Sequence, residues 1–183
     1  MTSSVTIRRA TAVDADFLLG VRAEPSAGRF QPLRSYSLER LRNILRLRAS
    51  DPLDATFSAK AQWVIACDET PAGWITLDVT SREHGVAAVG YTVAEEFRGQ
   101  RVASRALALV IAAAFDAGEL DLSRLEAVAA VENVASRRVL TGNGFREEGI
   151  AKRLLVINGV RVDHVRFGLV RSLPLSEQCP SSR

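Results

Sequence analysis

The stretch best equipped for chemistry begins at Gly90-Tyr91-Thr92-Val93 and runs through FRGQRVASRAL, residues 97–107. A β-rich run ends there, a short Arg/Gly/Gln segment follows, and a helix-like apolar run starts. Backbone N–H groups at a helix start have no intrahelical partner and carry partial positive charge. They cradle a phosphate or pyrophosphate. Gly99 lets the backbone approach such an anion, and Arg98 and Arg101 add charge. Taken alone, a strand-loop-helix with Gly and Arg is more often structural than functional.

Rival chemistries lack their residues. There is no Walker loop and no G-x-S-x-G elbow. Gly142-Asn143-Gly144 starts like a dinucleotide fingerprint, but Glu147 stands where the third Gly belongs, and the run follows a helix pattern. His84 and His164 are the only histidines, and with Cys67 and Cys179 they offer no metal-ligand spacing. Histidine triads and zinc chemistry are disfavoured, and no metal is expected.

The rest of the chain must position that stretch. Val5-Thr6-Ile7 alternates as a first strand. Thr11, with Asp14 three residues on, offers a capped start to a helix carrying Phe17, Leu18 and Val21. Glu24 to Ser35 is punctuated by Pro and Gly and reads as loop; Ser37 caps a second helix to about Ala49, and Asp51 to Lys60 is loop again. Gln62 to Cys67, Trp74 to Val79 and Val86 to Val93 read as a meander, with a turn at Asp68-Glu69-Thr70-Pro71. Val102 to Ala117 reads as a helix ended by Gly118, apolar nearly all round in its second half and therefore packed on a sheet. Leu125 to Val131 is a strand and Asn133 to Thr141 a short helix closed by Gly142. Asn158-Gly159 between Leu154-Leu155-Val156-Ile157 and Val160 to Val170 signals a type I′ hairpin. The order β-α-α-β-β-β-α-β-α-β-β predicts an α/β sandwich on a mixed, mostly antiparallel sheet.

At 183 residues, 47% hydrophobic and 25% charged, the chain has the size and composition of one globular domain and not of a disordered segment. Aromatics are 6%, so the core rests on Ala, Val, Leu and Ile. A net charge of +3 is too small to call for a nucleic-acid partner. The densest basic stretch, Arg34 to Arg48, reads as a solvated helix face, with Arg42 and Arg46 turned away from Leu38, Leu41, Ile44 and Leu45. Two cysteines make no disulfide framework and fit a reducing compartment. MTSSVTIRRA has no apolar signal core, and the longest apolar run, Ala106 to Phe115, is too short to span a bilayer. The expectation is a cytoplasmic protein with no membrane partner: one domain over 1–172, and a polar tail over 173–183 that frays. A homodimer stays open.

Several ordered motifs now converge. The loop resembles motif A of the GNAT N-acetyltransferases, R/Q-x-x-G-x-G/A, with Arg98 and Ala103 as its outer positions. ENVASRRVLTGNGF, residues 132–145, is similar to the E-N-x-x-S-x-x-x-L-x-x-x-G-F block of the RimJ/RimL-like branch. REEGI (146–150), the INGVRVDHVRFGL hairpin, Gly73, Gly90-Tyr91 and the opening TIRRATAVDADFL fit that branch too, so the resemblance covers about 5–172. Arg101 departs from it, standing at the middle Gly of motif A; at φ > 0 an Arg costs about 1 kcal/mol. Arg105 stands where an acidic residue is common.

The resemblance implies a GNAT-like sheet flanked by helices, with splayed central strands and acetyl-CoA between the strand ending near Val93 and the strand from Leu125. It implies pantetheine amides pairing with the backbone of Tyr91, Thr92 and Val93, one N–H stabilising the thioester oxyanion. The pyrophosphate would sit on Arg98, Gly99, Gln100, Arg101, Val102, Ala103 and Ser104. Asn133 would hydrogen-bond the pantetheine arm, or serve as a helix N-cap, or both. Ser136 would protonate the leaving thiolate, or be a solvated first-turn serine; Tyr91 could equally be a core aromatic. Glu126, a carboxylate in an apolar strand, is the base candidate, acting through water, or else the partner of a neighbouring Arg. Glu132 and Asp163 read as structural, and the acceptor pocket is expected from Ala27 to Ser35 and the final hairpin.

The expected activity is acetyl transfer to a primary amine, of a protein N-terminus or a small molecule, directly within a ternary complex. The alternative is a non-catalytic acyl-CoA-binding or regulatory module on the same fold, prompted by Arg101. An Arg-driven RNA binder ranks below both.

Overall fold

The computed structural model describes residues 3–33, 35–50 and 59–172. Its elements follow the expected order: β1 (Val5–Arg9), α1 (Ala15–Ala23), α2 (Leu38–Ser50), β2 (Lys60–Cys67), β3 (Thr70–Ser81), β4 (Val86–Val93), α3 (Val102–Phe115), β5 (Arg124–Ala130), α4 (Val134–Gly142), β6 (Arg146–Ile157) and β7 (Val160–Val170). Single 3-10 turns over Ala12–Asp14 and Glu95–Phe97 precede α1 and α3. The strands form one sheet in the order β1-β2-β3-β4-β5-β7-β6. Only β4 and β5 pair in parallel; the other neighbours are antiparallel. This is the mixed, mostly antiparallel α/β architecture that the sequence predicts.

Each face of the sheet has its own core. On one, Val102, Ala106, Leu107 and Val110 of α3 and Leu140 of α4 pack against Ile65, Ile75, Leu77, Leu125 and Phe167. On the other, Leu18 and Val21 of α1 and Leu41 and Leu45 of α2 cover Val64 and Trp74. Fully burying one such aliphatic side chain is worth about 1.5–3 kcal/mol, enough to hold short helices that would fray alone.

Local signals explain most boundaries. Thr11 and Asp14 form the capping box, and Asp14 also takes both Nη atoms of Arg8, at 2.9 and 2.6 Å. Ser37 Oγ accepts from Arg40 N–H at 3.2 Å, as a cap for α2 should. Asn158 and Gly159 both have positive φ, 50° and 79°, the type I′ geometry.

Several boundaries differ from the sequence reading, and three of them have a clear local cause. The β2–β3 turn is only Asp68-Glu69, at φ 45° and 66°; Thr70 and Pro71 already pair with Cys67 and Ala66. Helix α3 stops at Phe115, because Asp116 turns extended and its side chain accepts from the N–H of Gly118 at 2.7 Å. Strand β6 begins at Arg146 instead of Leu154. Of the loop expected over Asp51–Lys60, Lys60 already belongs to β2; residues 51–58, Arg34 and the tail over 173–183 lie outside the described residues. The basic face of α2 is solvated at Arg42, which bonds Asp16 at 3.0 Å, and at Arg46, which bonds Asn43 at 2.6 Å, whereas Arg48 turns inward to Gln62, contrary to the expected solvated face. Among the described residues, no helix is long and apolar enough to cross a membrane, and no group of His, Cys, Asp or Glu is arranged to hold a metal.

Candidate active site

The central parallel pair is incomplete. Strand β4 pairs with β5 only at Val86–Arg124, Ala87–Leu125 and Ala88–Glu126. Beyond Ala88 the strands part: β4 continues on β3 as far as Val93, and β5 continues on β7 as far as Ala130. The last five residues of β4 therefore present one backbone edge to a wedge instead of to a strand. Free N–H and C=O groups along such an edge are an extended ligand's natural partners.

Three contacts fix the far end of β4. Gly73 on β3 lies so close that a Cβ there would sit 2.2 Å from the Thr92 carbonyl oxygen. Gln31 Nε2 donates to Thr92 Oγ1 at 2.8 Å. Arg98 Nε donates to the Val93 carbonyl at 2.9 Å.

The loop that follows has the geometry of an anion cradle. Gly99 has φ 75° with open space where a side chain would be, and Arg101 is left-handed at φ 60° and ψ 15°. As N-cap of α3, Arg101 gives its first turn no side-chain hydrogen bond. The backbone donors of Val102, Ala103 and Ser104 thus begin a 14-residue helix without a side-chain cap. Gln100 folds back onto the Glu96 carbonyl at 2.8 Å, and Ser104 Oγ accepts from Asn143 Nδ2 at 3.0 Å. The Arg98 side chain turns the other way, to Glu24 at 3.3 Å and to Ser26. It ties the segment after α1 to the tip of β4, so it is Arg101 that stands directly at the start of α3.

Two expected residues meet across the wedge. The Tyr91 hydroxyl lies 3.0 Å from Ser136 Oγ and 3.2 Å from the Ser136 carbonyl oxygen. Tyr91 packs against the α3-side core, and burial, only partly offset by the Ser136 hydrogen bond, pushes its phenol up to about 12. Asn133 is the N-cap of α4: its Oδ1 accepts from Ser136 N–H at 3.1 Å.

Glu126 stands apart from this pair. Leu125 and Ala127 belong to the α3-side core, so strand alternation turns Glu126 to the opposite face. Its register partner Ala88 precedes Tyr91 by three residues, about 10 Å along the strand. There Arg124 Nε donates to it at 2.9 Å and also binds Glu148. Asp163 holds the irregular part of β6, accepting from Arg153 N–H at 2.7 Å and Lys152 at 2.9 Å, and these donors lower its pKa. Glu132 is exposed.

On the α1/α2 face, the segment after α1 meets the final hairpin where Asn158 Nδ2 donates to the Gly28 carbonyl at 3.4 Å. A cavity of about 310 Å³ lies beside this segment, lined among others by Arg22, Gln31, Tyr36, Arg48, Gln62 and Trp74. The sequence reading did not single out Gln31, Arg22, Arg48 or the role of Gly73. A lone loop Gln and a buried helix Arg carry no local signature, since what matters is contact with residues distant in sequence.

A strand pair splayed beside an uncapped helix start is the arrangement that the sequence resemblance implies. The chain belongs to the acetyltransferase (GNAT) domain family, whose family model matches residues 4–146. It stands close to the RimJ/RimL-like branch. It is 36% identical over 104 residues to the putative ribosomal N-acetyltransferase YdaF of Bacillus subtilis (strain 168), a match covering 57% of this chain and 56% of YdaF, about half of that relative's length. Among solved structures, Mycobacterium smegmatis RimJ in complex with CoA-disulfide superposes with a TM-score of 0.77 at 27% identity, covering 91% of this chain and 81% of that one. The apo ribosomal L7/L12 α-N-protein acetyltransferase RimL shares the fold, with a TM-score of 0.79 at 21% identity over 92% of this chain and 91% of that one.

Proposed function

We propose that this chain is an acetyl-CoA-dependent N-acetyltransferase that delivers the acetyl group to a primary amine by direct attack in a ternary complex. The observation that carries this reading is the parting of β4 from β5 after Ala88, bridged by Tyr91 and Ser136. Acetyl-CoA, when bound, supplies an activated acyl group as a thioester. The donor set fits it. The Gly99–Ser104 backbone and Arg101 offer N–H groups and charge to a pyrophosphate, and the open edge at Tyr91 and Val93 offers amide partners to the pantetheine arm, save the Val93 carbonyl that Arg98 holds. Asn133 Nδ2 adds one more donor at the start of α4.

Each residue has a distinct task. The β4 edge orients and excludes water. Ser136 Oγ and Tyr91 OH hold an exchangeable proton where a thiolate needs one. A thiol pKa near 8.5 makes that demand modest. The acceptor nitrogen must arrive neutral: an α-amine near 7.8 needs little help, a Lys ammonium near 10.4 needs more. We place no covalent acyl-enzyme on the path, since among the described residues the cysteine, Cys67, is buried within the α3-side core.

Thermal unfolding with and without acetyl-CoA tests the reading. At about 100 times Kd the ligand adds roughly 2.7 kcal/mol, a shift of several degrees at this size. A shift together with thiol release on a panel of amines supports the transferase. A shift with no turnover favours an acyl-CoA-binding module, for which the left-handed Arg101 is the specific observation. No shift overturns both.

A further inference from the structure

We propose that the acceptor amine carries a negatively charged group, and that the cavity between α1, α2 and the sheet receives that group. This rests on the transferase reading and adds the substrate's charge to it. The cavity, about 310 Å³, has the size of a side-chain or small-ligand site. Arg22, Arg48 and Lys60 line it, and none of the described lining residues is a carboxylate. Lys60 pairs with Asp78, whose charge also reaches Arg48, so the cationic excess of the cavity rests on Arg22 and Arg48 together. The Arg22 guanidinium lies over Tyr36 at 4.9 Å and Trp74 at 5.6 Å, which fixes its plane. Arg48 donates to the neutral amide oxygen of Gln62. Burial lowers the pKa of both guanidinium groups, and the charge of Arg48 lowers Arg22 further, as expected of like charges held close together out of water. Such a site gains most from an anion and repels a polyamine.

The cavity is also within reach of the wedge. Gln31 lines it and bonds Thr92 on β4, while Thr76 lines it and donates to the Gly90 carbonyl at 3.2 Å. Strands lie about 4.8 Å apart, so the cavity is one to two strand spacings, roughly 5–10 Å, from the splayed edge. A residue spans about 3.5 Å of extended chain. An N-terminal amine followed at the second position by an acidic side chain fits that interval. Carboxylate and phosphate share the chemistry that a guanidinium fork recognises.

The test is acetyl transfer to four peptides, Ser-Glu-Ala, Ser-phosphoSer-Ala, Ser-Gln-Ala and Ser-Lys-Ala, with spermidine beside them. The expected result is a kcat/KM for at least one acidic peptide some 10-fold above that for Ser-Gln-Ala, carried by KM and shrinking as salt rises. Ser-Lys-Ala and spermidine should fall below Ser-Gln-Ala. Whether Ser-Glu-Ala or Ser-phosphoSer-Ala leads assigns the group as carboxylate or phosphate. R48Q should abolish the acidic preference and R48K should restore it. Equal kcat/KM across the peptides, a preference for Ser-Lys-Ala or spermidine, or an R48Q loss shared equally by all peptides overturns the proposal. If none is acetylated, the transferase reading is in question and the cavity is tested separately. Trp74 fluorescence that answers Ser-Glu-Ala or Ser-phosphoSer-Ala in wild type but not in R48Q upholds the anion site, and no response to either removes it.

Discussion

The hydroxyls of Tyr91 and Ser136 lie 3.0 Å apart, joining β4 to α4 across the one place where the sheet is open. Tyr91 comes from a strand and Ser136 from the first turn of a helix 45 residues later, so only the folded splay brings them together. Asn133 supports the arrangement from below by binding the N–H of Ser136.

Removing either hydroxyl should slow transfer without unseating the ligand. Y91F and S136A are each expected to lower kcat by about 10-fold, the modest end of acid catalysis, because a thiolate leaves readily. Acetyl-CoA affinity should stay within about two-fold. Since the pair acts as a unit, the double variant should be little worse than the poorer single one. Fully additive losses in steady-state kinetics would show that the hydroxyls act separately. Stability should also report on Tyr91. Its phenol is raised to about 12 in the fold against about 10 unfolded. The neutral phenol's contribution is fully present below pH 10 and is lost as pH rises from 10 toward 12. Chemical denaturation over that window should show a decline that Y91F softens.

Asn133 has two jobs that different substitutions separate. N133A removes the cap and should cost about 1 kcal/mol of stability as well as acetyl-CoA affinity. N133D keeps a capping oxygen but loses the Nδ2 donor. It should unfold like wild type yet bind acetyl-CoA several-fold more weakly, by calorimetric titration. Wild-type affinity in N133D would leave Asn133 as a cap alone.

Much of this was legible because its causes are local. The Asn133 cap, the Asn158-Gly159 turn and the strain at Arg101 follow from a few consecutive residues. The turn at Asp68-Glu69 was legible but its two-residue length was not, because neither residue is a Gly or Asn that would announce positive φ. Strand β6 was missed from Arg146 to Arg153 because, as a sheet edge, it is exposed on both faces and shows no alternation. The resemblance implied the splay between β4 and β5. The fate of Arg98 was hidden, since its partners Glu24 and Ser26 lie more than 70 residues away. Charge in a sequence says that a partner exists, not which one.

Glu126 illustrates the same limit, and its two readings make opposite forecasts. As a base it would govern the acidic limb of the pH–rate profile. Its position at the closed end of the wedge, on the face away from Ser136 and bonded to Arg124, points to an ion pair. E126Q is therefore expected to keep the wild-type shape of kcat/KM against pH between about 6 and 9. The half-exposed pair should contribute under about 1 kcal/mol. Loss of rate confined to low pH in E126Q would restore the carboxylate to the mechanism.

Arg101 sets stability against binding. Its φ of 60° is a conformation that Gly adopts freely and that costs an Arg about 1 kcal/mol. Glycine gives part of that back through the greater entropy of its unfolded chain, so R101G should stabilise the protein by about 0.5 kcal/mol, roughly 1–2 °C in Tm. The same change removes the cationic side chain nearest the uncapped start of α3. If that guanidinium neutralises part of a pyrophosphate, R101G should weaken acetyl-CoA binding several-fold and flatten its salt dependence. R101K, strained but charged, should bind nearly as well as wild type. Tm and Kd moving in opposite directions in R101G would show that the strain is retained for the ligand. Tighter binding in R101G would show instead that Arg101 obstructs the cradle, and would strengthen the reading of the chain as a weakened, regulatory acyl-CoA module.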